Sequence, residues 1–119
     1  MWIVRTTDQF DLWFDAQDDA TQEKVLAGLL VLAQEGPTIG RPLVDTLKGS
    51  RFPNLKELRI QHQGKPLRAL FAFDPLRQAI VLCAGNMGSN DKRFYREMLP
   101  LAEALYASHL AILEGLHHE

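Results

Sequence analysis

The spacing of hydrophobic positions divides the chain into strand-like and helix-like segments. Residues 2–6, WIVRT, read as a short strand. Thr7 then precedes DQFDLWFDAQ, whose early acids suit the positive end of a helix. A second helix is predicted from a cap at Asp18 or Asp19 to the stop at Gly36-Pro37, with Val25, Leu26, Leu29, Leu30, Leu32 and Ala33 as its apolar stripe. The two helices are expected to pack as a hairpin with their acids outward. The stretch PTIGRPLVDTLKGSRFPN is rich in Gly, Pro and polar residues and reads as an irregular connection.

Strand spacing returns at about 55–62, 66–73 and 78–85, joined by the turns QG and DPLR. Links this short make the three strands antiparallel neighbours. Beyond GNMGSND, the residues Phe94, Met98, Leu101, Leu105 and Ile112 share one helical face. Pro100 lies inside that pattern, so a kink or break is expected near Leu99, with a long C-terminal helix continuing beyond it. The order is strand, helical hairpin, three-stranded meander and helix. This is an α+β fold in a single domain over residues 1–119, a sheet backed by helices on one face with its other face partly available.

Composition narrows the class. Hydrophobic residues make up 46% of the 119 positions, enough for one core. No apolar run approaches the roughly 20 residues that span a bilayer, and MWIVRTTDQFDLWFD turns acidic too early for a signal peptide. A cytoplasmic protein without membrane contact is expected. The single cysteine, Cys83, lies in the apolar run AIVLCAG and reads as a buried, inert thiol.

The net charge of −2 hides a segregated distribution. Residues 1–40 carry two basic groups and seven acids, and residues 97–119 carry four acids and no base. Between them, residues 41–96 carry eleven basic groups against Asp45, Glu57, Asp74 and Asp91, a local excess of +7. Two readings fit: a solvated mixed surface, or a face made for an anion, since phosphate partners respond to local potential rather than to net charge.

LKELRIQHQGKPLRALF, residues 55–71, sharpens the choice. A turn at Gln63-Gly64 sets His62 opposite Lys65 and Arg59 opposite Arg68. Like charges in that position cost a few tenths to ~1 kcal/mol. Either carboxylates such as Glu57 and Asp91 neutralise the pair, or an anionic ligand does.

The runs NLKELRI, KPLRALFAFD, AIVLCAGN and NDKRFYREMLPLAEALYASHL also carry a resemblance. Across nearly the whole chain they are similar to the HigB-like branch of the RelE toxin superfamily, the phage-derived group of type II toxin–antitoxin modules. The resemblance implies a compact RNase fold that cleaves messenger RNA, usually in the ribosomal A site. It also implies inhibition by a helix-turn-helix antitoxin, with operator DNA reached only through the antitoxin complex. The rivals are a noncatalytic antitoxin-binding module that regulates the operator, and an RNase acting on free RNA or transfer RNA.

Metal-independent RNA cleavage uses the neighbouring 2′-hydroxyl as nucleophile, so the protein must align the attack, neutralise developing charge and assist proton transfer. Guanidinium groups suit the second task. Arg59 and Arg68 match the strand cations that the superfamily places around the phosphate, and Tyr95 matches an aromatic or proton-transfer position near the start of the last helix. These three are the catalytic candidates. Lys56, Lys65, Arg51, Lys92 and Arg93 are the RNA-binding candidates, although Lys56 is expected on the strand face opposite Arg59. His62, at the hairpin tip, reads as exposed. Met87 stands where relatives often have lysine. His117 and His118 lack the spacing of a metal site, and neither metal nor cofactor is expected.

Overall fold

The sheet has five strands rather than the four that the sequence pattern announces. The structure, a computed structural model, describes residues 1–117, the last of them without its side chain. His118 therefore lies outside the described residues, as does the imidazole of His117. The elements are β1 (Ile3–Thr6), α1 (Asp8–Asp15), α2 (Asp19–Glu35), β2 (Val44–Thr46), β3 (Leu55–His62), β4 (Lys65–Phe73), β5 (Gln78–Asn86) and α3 (Asp91–His117). In space the strands run β1-β5-β4-β3-β2. The β3-β4-β5 meander is antiparallel as predicted, β1 joins β5 in parallel, and β2 adds to the free edge of β3.

Local chemistry sets the boundaries. Thr7 Oγ1 accepts the Phe10 amide at 3.1 Å and caps α1, while Asp18 Oδ1 accepts the Thr21 amide at 2.8 Å and caps α2. Gly36 ends α2 with φ of 60°, and a Cβ there would collide with the Trp2 indole, so no other residue fits both demands. Gln63 and Gly64 both have positive φ, 52° and 75°, the conformation of a two-residue hairpin turn. That turn fixes the register, with His62 opposite Lys65 and Arg59 opposite Arg68.

Helices cover both faces of the sheet, which corrects the expectation of one covered face. Phe10 of α1 and Val25 and Leu32 of α2 pack on Leu58, Ile60, Phe71 and Val81. On the opposite face, Phe94, Ala102 and Tyr106 of α3 pack on Leu55, Leu70, Ala72, Ile80 and Leu82. The cause lies in β4 and β5, whose near-continuous apolar runs are those of strands buried on both sides. A bulge in β5, where Leu70 pairs with Cys83 but Phe71 pairs with Val81, turns both Leu82 and Cys83 toward α3. Burial pushes the Cys83 thiol up to about 12, which keeps it protonated and inert.

Two details of the helices also differ from expectation. Leu26 and Leu30 of the α2 stripe and Ile112 of the α3 stripe are exposed instead of joining the core. In addition, α3 runs through Pro100 as one unbroken helix. Pro100 and Arg96 both face solvent, where water can take the carbonyl that proline leaves without a donor.

Candidate functional site

The site is built on the sheet face that α3 covers. Alternation along β3 sends Leu55, Glu57 and Arg59 to that face, and the hairpin register brings Arg68 of β4 alongside Arg59. The next strand continues the row with Gly85 opposite Arg68. Gly85 leaves room for the first turn of α3. Asn90 caps that turn, its Oδ1 accepting the Arg93 amide at 3.0 Å, and Tyr95 is thereby held over the strands.

Tyr95 Oη donates to Glu57 Oε1 at 2.5 Å. The other carboxylate oxygen, Oε2, accepts from Arg59 Nε at 3.1 Å, and Arg59 Nη2 reaches Asp45 Oδ2 at 3.1 Å. Asp45 also accepts from Arg41 Nε at 3.1 Å. Arg41, helped by the Thr46 amide and the Arg59 charge, holds the Asp45 carboxyl below the usual carboxylate range. The result is a ladder of alternating charge, Arg41-Asp45-Arg59-Glu57, ending on a phenol.

The two arginines of the cross-strand pair therefore differ. Arg59 is held by two carboxylates, so the sequence alternative of neutralising acids applies to it, with Asp45 in the place expected of Asp91. The Asp91 carboxylate instead accepts the Lys92 amide at 2.8 Å. Arg68 forms no ion pair among the described residues. Its Nη1 donates to the Leu67 carbonyl at 3.0 Å, and its Nε is buried with no hydrogen-bond partner. Leaving such a group unmet costs about 1–3 kcal/mol. Burial, and then the bond to Glu57, raise Tyr95 to about 12, and the nearby Arg68 only partly opposes them.

Concave surface lies on both sides of the ladder. Glu57, Tyr95, Asp45, Arg41 and Lys48 line a depression of about 300 Å³. A larger groove of about 530 Å³ runs past Arg59 and Arg68 to Lys24, Gly28 and Val31 of α2.

Of the residues singled out in the sequence, Arg59, Arg68 and Tyr95 converge. The other cations lie apart from them. Lys56 points to the opposite face and donates to Thr46 Oγ1 at 3.2 Å, with no bulge in β3 to turn it. Lys65 is exposed at the hairpin tip, and Lys92 is exposed in the first turn of α3. Arg93 pairs with Glu97 at 3.2 Å on the outer side of α3. Arg51 stacks over the Phe52 ring at 4.8 Å, and its amide donates to Glu103, two helical turns beyond Tyr95. His62 is half-buried rather than exposed, with Nε2 enclosed and without a partner, on the face away from the ladder. Met87 packs against the α3-side core.

A family model described as "Phage derived protein Gp49-like (DUF891)" matches residues 12–107. The chain belongs to this Gp49-like family. Two relatives from Mycobacterium tuberculosis (strain ATCC 25618 / H37Rv) are named as toxins. The Gp49-like chain is 46% identical to HigB2 over 108 residues, 90% of its own length and 54% of HigB2. It is 42% identical to HigB3 over 107 residues, 90% of its own length and 92% of HigB3. It thus spans about half of HigB2 and most of HigB3. Among solved structures, the isolated E. coli toxin RelE aligns with a TM-score of 0.58 at 13% identity, over 83% of this chain and 100% of RelE. A chain of the intact E. coli RelBE toxin–antitoxin complex aligns with a TM-score of 0.56 at 14% identity, over 71% of this chain and 95% of the other. At such identities the likeness carries the fold alone, and that fold is RelE-like. The Gp49-like chain is accordingly HigB-like in sequence and RelE-like in fold.

Asp45 and Arg41 are the members of the ladder that sequence reasoning did not place at the site, and Glu57 was expected there only as a neutralising acid, without its bond to Tyr95. For Glu57 a signal existed: a carboxylate in the inward register between Leu55 and Arg59 needs partners. Asp45 carried none, because β2 is three residues long and sits between Pro42 and Gly49.

Proposed function

We propose that this protein is the toxin of a type II toxin–antitoxin module, a metal-independent endoribonuclease that cuts messenger RNA on the ribosome through attack of the 2′-hydroxyl. The observation that carries the reading is Arg68, a strand guanidinium without a carboxylate, its Nε buried and unmet, beside Arg59 and within reach of Tyr95. A phosphate oxygen meets that need, and guanidinium donors fixed by a sheet act where negative charge develops in the transition state. The names of HigB2 and HigB3 support the toxin assignment. The solved complex of RelE with its antitoxin supports a dedicated inhibitor, here a helix-turn-helix protein that brings the pair to operator DNA.

One observation favours a second reading. Arg59 is closed on Asp45 and Glu57, as in a module that binds its antitoxin without cutting RNA. Induced expression of wild type and of Arg68→Ala, with mapping of RNA ends, separates the two. Growth arrest with codon-linked cuts is expected for wild type alone. Equal toxicity of the variant, or no cuts from either, defeats the catalytic assignment.

A further inference from the structure

The last carboxylate of the ladder is almost wholly enclosed. The Glu57 side chain is 4% exposed, and both of its oxygens are engaged, Oε2 with Arg59 and Oε1 with the Tyr95 hydroxyl. A charge buried this deeply is costly unless it is paired and hydrogen-bonded, and Arg59 provides the pairing. A β-branched or aliphatic residue at 57 would continue the apolar packing of Leu55 at no such cost. Tyr95 lines the same depression but is only half-buried. Its hydroxyl hydrogen is committed to Glu57, which turns its oxygen lone pairs toward Arg68 and the space beyond.

We propose that Glu57 is a positioning residue that works through Tyr95, taking the tyrosine proton as Tyr95 Oη takes the proton of the attacking 2′-hydroxyl. The inference rests on the RNA-cleaving reading above. In the step, the O2′–H proton passes to Tyr95 Oη while the Tyr95 proton passes to Glu57 Oε1. The O2′–P bond forms and the P–O5′ bond breaks, with Arg68 facing the phosphate oxygens. The departing 5′-oxygen takes a proton from solvent, leaving a 2′,3′-cyclic phosphate and a 5′-hydroxyl. Glu57 then returns its proton through Tyr95, which releases one to water. Concerted transfer is required because burial and the Glu57 contact hold Tyr95 up to about 12, so a free tyrosinate is not the base.

The test uses the full-length protein with Glu57→Gln, Tyr95→Phe and the double variant, assayed on RNA in reconstituted translation. Glutamine keeps the shape of the side chain while losing the charge. Each single change is expected to slow cleavage by about 100-fold or more, and the double variant should cut no slower than Tyr95→Phe alone, since the two groups form one path. A 5′-thio leaving group, which departs without a proton, should not restore Tyr95→Phe. A second readout is independent of activity: phenol titration followed by NMR should move Tyr95 downward from its raised value in Glu57→Gln. The proposal fails if Glu57→Gln cuts at the wild-type rate, if the two losses multiply, if the 5′-thio substrate rescues Tyr95→Phe, or if the Tyr95 titration stays put. Cleavage by wild type that Glu57→Gln leaves intact removes the relay alone. No cleavage by wild type removes the reaction, and the relay with it.

Discussion

The Phe94 ring rests on Gly85, where a Cβ would meet its Cε1 at 3.2 Å and the Met98 methyl at 3.8 Å. Because Gly85 pairs with Arg68 and Phe94 precedes Tyr95, this contact sets the height of the phenol above the arginine row. Gly85→Ala forces the ring outward by a few tenths of an ångström. It should lower RNA cleavage by about tenfold while leaving the urea midpoint nearly unchanged, since small misplacements cost rate more than stability. Gly85→Val overfills the space and should destabilise the fold by about 1–3 kcal/mol. Full activity of Gly85→Ala would show that the height of α3 does not matter.

Arg68→Met should be inactive yet more stable than wild type. The substitution removes a buried, unmet N–H and the like-charge opposition to Arg59. A gain of about 1 kcal/mol in denaturant unfolding is expected. A loss of stability would mean that Arg68 is held by the fold rather than kept for a ligand.

Asp45 holds Arg59 Nη2 at 3.1 Å, a group that an RNA phosphate would otherwise claim. Asp45→Asn should tighten binding of an RNA made uncleavable by 2′-deoxy substitution, as followed by fluorescence anisotropy, and steepen its salt dependence by about one in the log–log slope. Unchanged affinity would place Arg59 outside the RNA path altogether.

Asp74 governs acid stability away from the ladder. It accepts from Gln78 Nε2 at 2.9 Å and from the Leu76 and Gln78 amides, and its Oδ2 lies 2.7 Å from His109 Nε2 of α3. Burial pushes its carboxyl up, but the bonds from His109, Gln78 and Leu76 outweigh burial and hold it below the ordinary 3.8. A depressed folded value means that this stabilisation is present above about 3.8 and lost as pH falls through the lower folded value. Asp74→Asn should cost about 1–3 kcal/mol at neutral pH and flatten the acid limb of a pH series of thermal melts. An acid limb identical to wild type would assign acid unfolding to other groups.

Much of this architecture was legible in the residues. The Gln63-Gly64 turn fixed the hairpin register and with it the Arg59-Arg68 pair, because only one pairing satisfies both the turn and the apolar alternation. What escaped was long-range. Nothing local links Glu57 to Tyr95, 38 residues apart. Nor does any period mark β2, whose three residues earn their pairing only because β3 is already in place. The double coverage of the sheet was written in the unbroken apolar runs of β4 and β5, but a helix stripe interrupted by Pro100 concealed which element lay over them.

The parallel pairing of β1 with β5 has a consequence for the timing of synthesis. Ile3–Thr6 must wait for Gln78–Val81 before the sheet is closed. Tyr95 emerges later still, while Asp45, Glu57, Arg59 and Arg68 are already outside the exit tunnel. A nascent chain whose residues beyond about 90 are still inside the tunnel therefore carries an incomplete cluster. Glu57 therefore meets its phenol only after the first turn of α3 has left the tunnel and docked on the finished sheet.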